Sequence, residues 1–338
     1  MSDESQQDII SESFDRLLQE FFTLKTIRTI EHEGIGASSA LLWQKLDESG
    51  FVDALVPEAK GGSGLTLALA HGLLESCGRH ALPLPMGETI IARALLAAAN
   101  YPVPSEPIAL GCAVQEGGDV ICRLTPYART ADFDLLALHG KLVLLSCALA
   151  QRALLAPNGG AGELRWPAAI LPSALDMPAG ANIRHAQASV LAAQIAGALS
   201  QVLSMTLRYA NERVQFGKPI GKFQAVQHQI AVMAEHTAMA RMAARIGCDS
   251  PSHLPDVRRA AIAKSVASEA AASVASLGHA LHGAIGMTEE YDLQLFTRRL
   301  HEWRLCAGTE SYWNRELGAG LVQARDHSML DFVRASVL

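Results

Sequence analysis

Arg208-Tyr-Ala-Asn-Glu-Arg213-Val-Gln-Phe216-Gly217-Lys218-Pro219-Ile220, continued by Phe223-Gln224-Ala225-Val226-Gln227-His228, is the stretch from which the rest of the chain is read. It joins two long apolar periodicities. Upstream, Leu191, Ile195, Leu199, Val202, Met205 and Tyr209 step by three or four residues. Downstream, Val226, Ile230, Met233, Thr237, Ala240 and Ala244 do the same, with Thr237 the one polar member. Each row is one face of an amphipathic helix. Gly217-Lys-Pro219-Ile-Gly221 breaks the first helix from the second. Arg213 stands at the end of the first, where a cation complements the helix dipole and Gly217 permits the turn. A guanidinium is also a planar, permanently charged fork of donors, suited to a pyrophosphate.

Outward from this stretch, Ala270, Val274, Leu277 and Leu281 mark a third long helix, separated from the second by Ser250-Pro-Ser-His-Leu-Pro255. Abundant small residues on these helices predict a close-packed bundle. Between Pro102 and about Pro178 the texture changes. Short apolar runs (Ile108 to Val114, Val120 to Leu124, Leu135 to Leu138, Leu142 to Cys147, Arg152 to Ala156) are divided by Gly, Asp and Pro, as in a small antiparallel β domain. Before it, Phe14, Leu17, Leu18, Phe21 and Phe22 begin a helical pattern, and Leu41, Leu42, Leu46 and Phe51 continue it. Gly61-Gly62-Ser-Gly64 forces a loop. Further helices are expected from Thr66 to Gly78 and from Gly87 to Ala99. The chain is therefore mainly α with a small β domain: a helical region 1–101, a β region 102–186 and a helical bundle 187–338.

Composition narrows the function. A net charge of −6 over 338 residues argues against nucleic acid, which needs a concentrated basic surface. Six scattered cysteines without a Cys-x-x-Cys pair suggest neither a zinc ribbon nor a dithiol centre, and no metal site is expected. They read as free thiols of a reducing compartment. Met1-Ser2-Asp3-Glu4 lacks the basic start of a secretory signal. No uninterrupted apolar run reaches the ~20 residues that span a bilayer. A cytoplasmic protein without membrane contact is the expectation.

The Arg213–His228 stretch closely resembles the flavin-binding signature of acyl-CoA dehydrogenases. Leu281-His282-Gly283-Ala284-Ile285-Gly286-Met287-Thr288 resembles a second signature of that family, and Gly308-Thr309 a third. Leu55-Val-Pro57-Glu58 through Gly64-Leu65 and Ala131-Asp132-Phe133-Asp134 are partial matches. The order helical domain, β domain, C-terminal four-helix bundle is the family's own. The resemblance implies FAD and an acyl-CoA substrate. It also implies a tetrameric assembly with copies of itself or a paralogous subunit, and an electron-transfer flavoprotein-type acceptor. It assigns the cofactor's pyrophosphate to Arg213, with Gln215 and Phe216 beside it and Gln224 as an amide partner. It assigns the adenosine half of a neighbouring subunit's flavin to His282, Gly283 and Gly286, and the flavin approach of a helix N-terminus to Thr309. The histidine is equally open to a packing role, and Thr309 to capping its helix.

Departures from the family pattern point elsewhere. Its chemistry is α,β-dehydrogenation of an acyl-CoA, in which a carboxylate removes the Cα proton while the flavin accepts hydride from Cβ. The usual position of that carboxylate, immediately before Gly308-Thr309, holds Ala307. An alternative position used by some relatives, at the start of the first long bundle helix, falls near Gln187. Glu310 lies three residues from the usual position, almost one helical turn away, and equally fits a first-turn acid facing the helix dipole. The glutamine usually found two residues before the histidine is Ala280, and Arg298-Arg299 stands where an Arg-Asp pair is common. Val114-Gln-Glu-Gly117-Gly118-Asp119 lacks the hydroxyls that such β domains present to the flavin ring. These departures suit a heteromeric dehydrogenase whose base lies on the partner chain. A homo-oligomer using Glu310 and a non-catalytic subunit of an active relative are the alternatives.

Overall fold

The computed structural model describes residues 3–323 except 173, 179 and 180, together with residues 328, 330, 331 and 334; side chains are described from Gln7 onward. Helices α1 (Asp3–Phe21), α2 (Leu24–Glu33), α3 (Ala37–Glu48), α4 (Leu67–Arg79) and α5 (Met86–Ala98) come first. Strands follow: β1 (Ile108–Cys112), β2 (Val114–Glu116), β3 (Asp119–Thr125), β4 (Phe133–Leu138), β5 (Lys141–Ser146), β6 (Gln151–Leu154), β7 (Gly162–Pro167) and β8 (Leu175–Asp176). The bundle comprises α6 (Ile183–Glu212), the two-residue strands β9 (Val214–Gln215) and β10 (Lys218–Pro219), and then α7 (Gln224–Cys248), α8 (Val257–His282), α9 (Leu293–Leu305) and α10 (Glu310–Gln323).

Caps set the helix starts. Thr66 accepts from Leu69 N–H before α4, Asn182 from His185 N–H before α6, and Asp256 from Arg258 and Arg259 N–H before α8. The change from strand to helix falls between Asp176 and Ile183, ahead of residue 187. Helix α6 is the axis of the protein, packed against α4, α7, α8 and α9. It is long and apolar enough to cross a membrane, although no uninterrupted apolar run is visible in its sequence. Of that apolar window 72% is buried inside the protein, so its apolarity belongs to the core. Gly78 and Gly197 make the α4–α6 contact possible. A Cβ on Gly78 would stand 1.8 Å from Gln194 O, and one on Gly197 1.9 Å from Glu75 O.

The β region differs from the expected antiparallel sheet. Its strands form two four-stranded sheets, β1-β4-β5-β8 and β2-β3-β7-β6. The pair β1·β4 is parallel, while the other pairs within these two sheets are antiparallel. Strand β7 was not anticipated, because alternating Glu163, Arg165 and Pro167 interrupt its apolar residues. Strand β1 is an edge, and side chains rather than another strand cover it. Ile108 N–H donates to Thr89 Oγ1 (2.9 Å) and Leu110 N–H to Glu88 Oε2 (2.7 Å). Gln187 Nε2 donates to Leu110 O (2.6 Å) and to Glu88 Oε1 (3.0 Å). Thus α5 and α6 together satisfy the backbone groups of an open strand and dock the β region between the two helical regions. A second tie explains the Arg298-Arg299 departure: Glu31 of α2 bridges Arg298 (2.7 Å) and Arg299 (2.6 Å) of α9.

Burial raises Glu88 to about 8, and burial raises Asp134, whose two oxygens lack partners, to about 7. Both folded values lie above those of an unfolded chain, so the folded state holds protons that the unfolded state releases. Their stabilising contribution is full below about pH 4 and is lost as pH rises through 7 to 8, at about 1.4 kcal/mol per unit per group. Asp134→Asn should flatten this slope, becoming more stable relative to the parent at pH 8 than at pH 5 by roughly 2–4 kcal/mol. Urea denaturation at the two pH values measures it, and an unchanged slope would exclude Asp134 as its source.

Candidate functional site

At the C-terminal end of α6, Arg213 N–H donates to Tyr209 O (2.8 Å) and the chain leaves the helix. Strands β9 and β10 then form a hairpin whose two turn residues, Phe216 (φ +50°) and Gly217 (φ +78°), are both left-handed, the backbone of the tight turn that matches strand twist. Phe216 is 93% exposed. A bulky residue held left-handed costs about 1–3 kcal/mol in backbone strain. Arg213 is exposed and has no carboxylate partner among the described residues. Gln224, the first residue of α7, is likewise exposed. Gln215 turns its amide back onto Val214 O (2.8 Å). A Cβ on Gly217 or on Gly283 (φ +64°) would meet nothing within 4 Å, so the backbone is open to a ligand at both. A free cation beside open backbone fits the phosphate end of a dinucleotide.

His282 sits nearby but is not itself open. Its relative exposure is 3%. Tyr209 stacks on the ring at 4.5 Å and Tyr291 covers it at 5.1 Å. Its Nδ1 pairs with Gly278 O (2.8 Å), and burial lowers its pKa. Gly286 is required by this packing, since a Cβ there would lie 2.9 Å from His282 Cβ.

The second group lies at the other end of α6. His185, in its first turn, packs edge-on against Trp313 of α10 at 5.0 Å, and Arg184 lies over Tyr312 at 5.2 Å. The turn between α9 and α10 carries Ala307 (φ +57°) and Gly308 (φ +106°). It is held from behind by Lys264 of α8, fully buried, whose Nζ reaches Arg304 O (2.9 Å), Gly308 O (2.9 Å) and Ser268 Oγ (2.8 Å). Burial lowers that amine to about 7. Thr309 Oγ1 faces Tyr312 N–H at 3.4 Å, a capping geometry. Glu310 is committed elsewhere. It forms a two-pronged pair with Arg304, one arm being Nε to Oε2 at 2.9 Å, and that pairing lowers its pKa. A carboxylate held ionised by a guanidinium is a weak base.

Gln187, at the alternative base position, is buried with Glu88. Sequence reasoning missed Glu88, although a lone acid in the apolar run Met86-Gly-Glu88-Thr-Ile-Ile was the available signal. Its carboxyl is sealed by Leu110 and Gln187 and is 0% exposed. Phe133 packs against the main core. Two open grooves of about 570 and 560 Å³ lie between α1, α4 and α7 and beside Asp53 and Arg93; neither includes Ala307, Gln187 or Glu88.

The nominated residues therefore form two groups, not one site. His185 and Arg213 are separated along a single helix, and at 1.5 Å per residue that is about 42 Å. No single cofactor molecule touches both ends in one chain. The Arg213, Phe216 and Gly283 end is open and cationic. The Ala307 end is half-buried, and the acid nearest to Ala307 in sequence, Glu310, is paired with Arg304.

Residues 183–321 match the acyl-CoA dehydrogenase C-terminal domain. The chain is 30% identical over 305 residues to acyl-CoA dehydrogenase IpdE2 of Mycolicibacterium smegmatis, covering 89% of this chain and 93% of that protein. It is 34% identical to IpdE2 of Mycobacterium tuberculosis, over 77% and 80%. In fold it resembles the Tcur3481-Tcur3483 steroid ACAD G363A variant (TM-score 0.81, 24% identity, 96% and 100% covered). It also resembles the ChsE4-ChsE5 complex of Mycobacterium tuberculosis (TM-score 0.76, 20% identity, 94% and 98% covered).

Glu310→Gln tests the ion-pair assignment. It should lower stability by about 1 kcal/mol or less, as for a partly exposed pair, and leave dehydrogenation by the assembled protein within about threefold. A loss of the ~10²-fold or more that removing a general base produces would make Glu310 the base.

Proposed function

The chain belongs to the acyl-CoA dehydrogenase family, and from that premise we propose that it is one subunit of a heteromeric, FAD-dependent acyl-CoA dehydrogenase. It lends the Arg213 end of α6 and the Gly283 turn to a flavin whose reactive ring and catalytic carboxylate stand on a paralogous partner. One observation carries this reading: the open, cationic end lies about 42 Å along α6 from His185, which packs against α10 beside the turn where Ala307 occupies the base position. A homo-oligomer relying on Glu310 is disfavoured by the pairing of that residue with Arg304.

A bound flavin supplies the hydride acceptor for oxidation of the Cα–Cβ bond. This chain's own residues bind and orient. Arg213 offers a fork of charged donors to the pyrophosphate. Phe216 presents an aromatic face and Gln224 an amide beside it. Thr309 caps α10 at the other end of α6, where it faces no partner-derived flavin in this reading. The fold resemblance to a steroid acyl-CoA dehydrogenase supports a bulky, ring-derived acyl thioester as substrate. An electron-transfer flavoprotein-type protein is the proposed acceptor. The six free thiols suit a cytoplasmic setting.

The test is co-expression with a paralogous acyl-CoA dehydrogenase subunit, assaying dehydrogenation of a steroid-derived acyl-CoA by the single chains and by the complex. Activity is expected only from the complex. In that complex Arg213→Ala should weaken FAD retention about 10- to 100-fold, the worth of one charge-assisted phosphate contact. Unchanged retention would refute the role given to Arg213.

A further inference from the structure

Resting on the reading that the α6 end faces a flavin, we propose that His282 is a positioning residue that welds the two cofactor-facing segments, the Arg213 hairpin and the Gly283 turn, into one rigid face. The two segments come from different helices and are far apart in sequence. They meet through one aromatic stack. Tyr209 belongs to the last turn of α6, and its carbonyl accepts the Arg213 N–H. Its ring lies on His282 at 4.5 Å with the planes 27° apart, and its hydroxyl donates to His282 O (3.3 Å).

Tyr291 packs against the imidazole from the side at 5.1 Å, its plane tilted 50°, and touches Tyr209 edge-on at 6.1 Å, so the three rings form a triangle. With 3% of its surface exposed, the ring is packed into the fold and not presented to a ligand. What it controls is the backbone beginning at the next residue, where Gly283 turns left-handed and open. Gly286 then folds back against His282 Cβ. On the α6 side, Gly221 packs against Ala210 O, which a Cβ there would approach to 3.1 Å. The hairpin base is thereby tied to the same turn of α6 that carries Tyr209.

A stacking role and a direct contact make opposite demands on substitution. His282→Phe keeps a ring against the tyrosines and removes the imidazole nitrogens, whereas His282→Ala removes the ring. FAD retention is measured in the co-expressed complex by flavin fluorescence on dilution. His282→Ala should weaken it about tenfold while His282→Phe stays within about threefold of the parent, since the ring stacking carries the effect. Phe as damaging as Ala would overturn the proposal, because the nitrogens would then be what matters. If His282→Ala does not fold, Tyr209→Leu removes the same stack from the α6 side. It should show the tenfold loss, with Tyr209→Phe near the parent, and an unaffected Tyr209→Leu overturns the proposal. Arg213→Ala is run in parallel. Retention lost there but kept in His282→Ala overturns the positioning role alone. Retention kept in both overturns the reading on which it rests.

Discussion

The axial position of α6 is the constraint on which everything else depends. Gly78 and Gly197 admit the backbones of α4 and α6 so closely that a Cβ at either position would collide with a carbonyl oxygen of the facing helix. Sliding one helix by a residue would bring a side chain into that contact. The helix is therefore fixed along its length as well as against its neighbours. Because it is continuous from Ile183 to Glu212, its ends are held apart at a set distance. One end carries the turn where the family's base belongs, and the other carries the flavin-binding signature. In the function proposed above, the Arg213 end is the half of a flavin site that a second chain completes.

The β region is held to that axis by polar groups whose burial has a cost. Glu88, Thr89 and Gln187 supply the hydrogen bonds that a neighbouring strand would otherwise give to β1. Sealing the Glu88 carboxyl between α5, α6 and β1 raises its pKa, since the charged form is desolvated. The same sealing leaves Gln187, at the alternative base position, as a structural amide. Glu31, clamped by Arg298 and Arg299, ties α2 to α9 in the same manner. An arginine at 299 is thus not an isolated loss from the family pattern, because an acid on another helix has taken up the charge.

Much of this was legible in the sequence. The three-to-four residue steps of α6, α7 and α8 gave helices directly, and the Gly- and Pro-rich breaks gave their ends. Short apolar runs gave most strands. The parallel β1·β4 pair was not legible, because pairing direction depends on where the connection passes and not on local alternation. Strand β7 was obscured by its charged alternate residues. At the candidate site, Arg213 and Phe216 were nominated from their motif, and the structure places them on an open surface. His282 was nominated in the same way and is buried against two tyrosines that no local pattern links to it. Glu88 and Lys264 were passed over, since a charged residue inside an apolar helix reads as an interruption until the fold reveals what it faces.

The central claim is that two chains share one flavin, and the flavin content of purified protein tests it most directly. The complex with the paralogous subunit should contain half an FAD per chain by its visible absorbance, and this chain purified alone should be colourless. One flavin per chain in the complex, or a yellow preparation of this chain alone that oxidises an acyl-CoA, would contradict the account.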